Sequence, residues 1–128
     1  MDRQLYVDRL LESENLTDQL EDDEANHLLD WGIAHIDGLI NGASGADEAG
    51  DKVNRLMAVM RGLNSLAGDP RRVTSDALVD LLGRYNQLAG GAAQADESEI
   101  RSMIERVSKA EPGQAVAHLV EWLDQKKG

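Results

Sequence analysis

The chain has 128 residues, with 24 Asp and Glu against 13 Lys and Arg, a formal net charge of −11 and no Cys. That length suits a single domain (1–128) able to bury roughly two-thirds of the surface its unfolded form exposes. The composition excludes disulfides, thiolate metal sites and thiol nucleophiles, and the charge repels nucleic acid and anionic lipid.

There is no Phe, and Trp31, Trp122, Tyr6 and Tyr85 are the large aromatics, so the core must be mainly aliphatic. No apolar run approaches the ~18 residues of a membrane span. The start Met1-Asp2-Arg3-Gln4-Leu5-Tyr6 lacks the basic segment and apolar run of a secretory leader. The expected setting is the cytoplasm.

Apolar residues recur with helical rather than strand period. A first helix is expected over about 3–14 with Leu5, Leu10 and Leu11 inward, followed by a short turn at 16–20. A second starts near Asp22, carries Leu28, Leu29, Ile33, Ile36 and Leu39 on one face, and ends at Gly42 in a left-handed cap. The third covers about 46–67 with a stripe of Val53, Leu56, Met57, Met60, Leu63 and Ala67, and Gly68-Asp69-Pro70 stops it. Helices two and three would each be about 30 Å long, and the short link 42–45 folds them into an antiparallel hairpin.

Thr74 or Ser75 caps a fourth helix with Leu78, Leu81, Leu82, Tyr85, Leu88 and Ala89 inward. The stretch Gly90–Asp96 is the expected flexible link. Asp96 or Ser98 opens a fifth helix buried through Ile100, Met103, Ile104 and Val107, and Pro112 begins the turn into a sixth. That last helix buries Ala115, Val116, Leu119, Val120 and Leu123, while Lys126 and Lys127 suit its negative end. The fold class is all-α, a single compact bundle of five to six helices.

Charge is unevenly spread. Residues 1–50 hold thirteen acids and two bases, and Glu12 to Glu24 contains seven acids and no base. Glu21, Asp22, Asp23 and Glu24 suit the start of helix two, where the helix dipole favours acids by about 0.3–1 kcal/mol each. The same block offers a docking face for a basic partner, with association steered by its field. Clustering in one block argues against DNA mimicry, and there is no calcium-loop spacing.

Glu21-x-x-Glu24 followed by Glu48-x-x-Asp51 resembles the paired-acid motifs of the all-α NTP pyrophosphatases. The resemblance implies magnesium held by these four carboxylates against nucleotide phosphates. In an antiparallel hairpin, however, the start of helix two faces the end of helix three. The two pairs then stand roughly 25–30 Å apart, which makes the magnesium-dependent hydrolase the alternative reading. Glu24-x-x-His27 has the spacing of di-iron bundles, but those need two such copies, and His118-x-x-Glu121 is reversed.

His27-Leu28-Leu29-Asp30-Trp31 is echoed by His118-Leu119-Val120-Glu121-Trp122. At 100° per residue, His27, Trp31 and His35 form a ridge at the border of the apolar face, where an indole seals a core or anchors a partner. There is no nucleophile elbow, phosphate loop or dinucleotide fingerprint. The expectation is therefore a small non-enzymatic helical protein, an adaptor, regulatory or homodimeric module. Its contacts would run through Trp31, His27, His35 and Trp122, with Glu21 to Glu24 setting charge complementarity. No cofactor, nucleic acid, membrane or small-molecule ligand is called for.

Overall fold

The computed structural model describes residues 3–90, 94–111 and 113–127, the side chains at 89 and 127 apart. The centre of the expected flexible link, the turn at Pro112 and the side-chain roles given to Ala89 and Lys127 lie outside the described residues. Six α-helices follow in chain order: α1 (Arg3–Glu12), α2 (Asp22–Gly42), α3 (Ala46–Gly68), α4 (Ser75–Ala89), α5 (Glu97–Ser108) and α6 (Ala115–Lys127). Single 3₁₀ turns at Glu14–Leu16 and Pro70–Arg72 connect α1 to α2 and α3 to α4. No strand occurs among the described residues, and no helix there is long and apolar enough to cross a membrane. The molecule is an all-α bundle.

Helix α3 is its axis, packing against α1, α2, α4, α6 and both 3₁₀ turns. Its 3.6-residue stripe of Val53, Leu56, Met60 and Leu63 is widened by Val59 and Leu66, all buried. Burying each such aliphatic side chain stabilises the fold by about 1.5–3 kcal/mol relative to exposure. α2 packs on α3: a Cβ added at Gly32 would meet the Met60 thioether, and one at Gly42 would approach Lys52 Nζ. Those two pairings run in opposite chain directions.

Local signals set most helix ends. Thr74 Oγ1 accepts from Ala77 N–H and Asp96 Oδ1 from Glu99 N–H, so both caps satisfy orphan donors of a first turn. Asp69 accepts from Arg71 N–H at the 3₁₀ turn and pairs with Arg71 and Arg72.

Two expectations need correction. Leu5 and Leu11 point outward, 60% and 51% exposed, while Tyr6, Val7 and Leu10 face the core. A ten-residue helix with apolar residues at 5, 6, 7, 10 and 11 admits more than one inward face. Tertiary contacts choose among them: the Tyr6 hydroxyl donates to the Ala46 carbonyl at 3.2 Å, and Arg9 bonds Asn54. Gly42 is no left-handed cap either. The residue after it, Ala43, is extended, and the positive-φ residues among those described are Gly90 and Gly113.

The link between α1 and α2 is pinned to α3. Buried Asn64 accepts from Gln19 N–H at 3.1 Å and donates to Asp18 at 2.6 Å and to the Asn15 carbonyl at 3.3 Å. Leu16 fills the core beneath. A Cβ at Gly68 would stand 2.5 Å from Gln19 Cβ and 2.8 Å from its carbonyl oxygen, so the bare glycine permits the contact.

Candidate functional site: an acidic groove between two helices

Trp31 and His35 lie one turn apart on α2, Tyr85 on α4, and Asp124 near the end of α6. Residues i and i+4 share a helix face, and the Trp31 and His35 rings meet at 4.3 Å between centroids. Tyr85 stacks on Trp31 at 6.2 Å. Asp124 stands against the polar atoms of all three rings.

The Trp31 indole N–H donates to both Asp124 carboxylate oxygens at 3.3 Å, and the Tyr85 hydroxyl donates to Oδ1 at 3.1 Å. His35 Nδ1 stands 3.1 Å from the Trp31 carbonyl. A carbonyl oxygen only accepts, so that nitrogen carries the hydrogen. Nε2 then points toward Asp124, 3.9 Å from Oδ1. Burial pushes the Tyr85 hydroxyl well above the usual phenol range, and the Asp124 charge and hydrogen bond add to the effect. The phenol is therefore a fixed donor. Asp124 itself keeps 48% of its side chain in water, so it is a carboxylate held rigidly from behind and open in front.

In front lies a shallow groove between α2 and α6 of about 690 Å³, with Trp31, Ala117 and Val120 as its floor and Asp30, Glu121 and Asp124 on its rim. His27 and Gln125 complete the lining, which includes no Lys or Arg among the described residues. On the opposite edge of α6, toward α5, the Trp122 indole N–H donates to Glu99 at 3.4 Å. Lys126 pairs with that same carboxylate, and Arg106 lines the hollow beside it. Among the described residues, one edge of α6 carries acids with no Lys or Arg in the groove they frame; the other has Lys126 and Arg106.

The residues expected from sequence divide accordingly. Trp31 and Trp122 are 8% and 6% exposed, so neither indole projects as an anchor. Each sits at the border of its helix's apolar face, but a neighbouring helix covers that border. His27 is exposed beside the groove and His35 is half-buried behind Asp124. Glu21, Asp22 and Asp23 are exposed at the start of α2, whereas Glu24 is buried and accepts the Gly113 N–H at 2.8 Å. Asp18 and Glu24 thus tie down chain links, and the acidic block is not one open face.

The carboxylates Glu21, Glu24, Glu48 and Asp51 are not brought together. No group of three or more His, Asp or Glu among the described residues could share a metal ion. Glu48 instead takes the Ser44 N–H at 2.8 Å and the Ser44 hydroxyl, which with Lys52 hold its carboxyl below the usual range.

Sequence reasoning missed Asp124, Asp30 and Glu121 as one constellation and took Tyr85 as plain core. A signal existed, since a buried tyrosine hydroxyl requires a polar partner. Comparison with protein-family models, curated proteins and solved structures finds no match.

Proposed function

We propose that this protein is a non-enzymatic binding module, cytoplasmic in setting, whose α2/α6 groove docks a basic, apolar-faced helical segment of another protein. The observation that carries this is Asp124: two donors from two other helices fix it in place, yet it remains half-exposed in a groove lined by further acids and, among the described residues, no Lys or Arg. Pre-positioned charge costs less to bring into a complex than charge that must be ordered. An apolar floor framed by carboxylates is complementary to a helix with alternating aliphatic and Lys or Arg positions. The same charge opposes a second copy, because two such grooves would place like charges face to face. A different, basic chain is the favoured occupant over a homodimer.

The test is calorimetric titration with a synthetic Leu/Lys amphipathic helix at low and at physiological salt. Binding should weaken on the order of tenfold as salt rises and again in the Asp30→Asn/Glu121→Gln double variant. A Glu12→Gln/Glu14→Gln control, with the same charge change away from the groove, should bind like the parent. Equal losses in both double variants would reduce the attraction to overall charge and sink the groove.

A further inference from the structure

Behind the aromatic cluster, on the side away from the groove, α2, α3 and α4 enclose a second hollow of about 380 Å³. Its size falls within the range of small-molecule sites, which combine apolar walls with a few convergent polar groups. Leu39 and Leu88 form the walls together with the rings of His35 and Tyr85, whose polar atoms are turned to the Trp31 carbonyl and Asp124, and Lys52 brings the charge. Nothing lies within 4 Å of where a Gly38 Cβ would stand, so the mouth is open there.

The charge in this hollow has the opposite sign to that of the groove. Lys52 is its cation, its alkyl stem largely covered so that the ammonium is presented at the end of an apolar arm. The acid placed against it, Glu48, stands at 3.5 Å and is itself engaged by Ser44. An ammonium carries three donors, and that single long contact leaves it able to take another anion. A cationic ligand would be repelled, and a neutral one would leave those donors to water alone. A phosphate dianion would want more than one cation and fewer aliphatic walls.

We propose that this cleft binds a small organic carboxylate with an apolar body, the carboxylate on Lys52 and the body against Leu39 and Leu88. The site shares no Asp or Glu with the docking groove, so the two readings stand or fall separately. The experiment titrates octanoate, and in parallel octylammonium, into the full chain while backbone amide NMR shifts are followed.

Octanoate should give saturable shifts centred on residues 34–39, 52 and 85–88, and octylammonium should not. Lys52→Met should weaken octanoate about tenfold, the worth of one charge-assisted hydrogen bond. Gly38→Leu, which fills open space, should abolish octanoate binding while leaving the thermal melt intact. Absence of a saturable shift at millimolar octanoate overturns the site. So do shifts centred elsewhere, equal binding of octylammonium, or undiminished binding in either variant.

Discussion

The two edges of α6 solve the same problem with different charge. On each, a buried indole N–H donates to a carboxylate from a neighbouring helix: Trp31 to Asp124, and Trp122 to Glu99. Glu99 is neutralised by Lys126. Asp124 has Tyr85 as a second donor and His35 nearby, but no Lys or Arg among the described residues lines its groove. For an indole alone, either arrangement suffices. The added rigidity and uncompensated charge on the α2 side are what stability does not require, and that difference points to recognition there.

Removing each acceptor should separate the edges most sharply. Asp124→Ala strands two donors, the Trp31 indole and the buried Tyr85 hydroxyl, and should cost about 1–3 kcal/mol. Glu99→Ala takes the acceptor from the Trp122 indole N–H and the Lys126 ammonium, but at a partly exposed site that water can enter, and should cost less than about 1 kcal/mol. Urea denaturation of both variants reads the difference, and equal losses would erase the asymmetry.

The next effect is visible only in alkali. Tyr85 is an acid whose folded-state pKa is raised, so its neutral form is favoured by folding. Its contribution is fully present below the unfolded tyrosine pKa of about 10 and is lost as pH rises through the folded value. Above pH ~10 the unfolded chain releases that proton while the folded chain retains it, so stability should fall by about 1.4 kcal/mol per pH unit on this account. Tyr85→Phe should be less stable at neutral pH and show a shallower alkaline slope. A parallel slope in both proteins would mean that neither burial nor Asp124 keeps the phenol protonated.

How far this was legible in sequence follows from the range of the interactions. Helix ends rest on local chemistry, so Thr74, Asp96 and the Asp69-Pro70 stop could be read directly. The inward faces of the longer helices could too, because their periodicity runs for several turns. α1 is too short for its pattern to choose a rotation, and the choice comes from Ala46, far along the chain. Leu16 and Asn64 form a turn-to-helix contact with no periodic signature at all. The ridge of His27, Trp31 and His35 lies along the edge of α2 that meets α6, but its accessibility was misjudged because α6 covers the indole. Asp124 lies 93 residues from Trp31, and no spacing rule joins them.

The smallest prediction is one of sign. Asp30 stands on a rim that already carries Glu121 and Asp124, so converting it to Asn relieves like-charge repulsion and should raise stability by a few tenths of a kcal/mol. Lys126 does the reverse on the other edge: it is largely buried and neutralises the acceptor of Trp122. Lys126→Gln should therefore lower stability by a similar amount. Each shift alone is near the limit of a denaturation curve, and the same two signs follow from net charge, because Asp30→Asn brings the −11 of the chain toward zero and Lys126→Gln takes it further away. Repeating both measurements at high salt decides this, since screening removes the long-range field and leaves more of the covered Glu99–Lys126 contact. Should Lys126→Gln become neutral under those conditions while Asp30→Asn does too, the contrast between the two edges would reduce to bulk electrostatics.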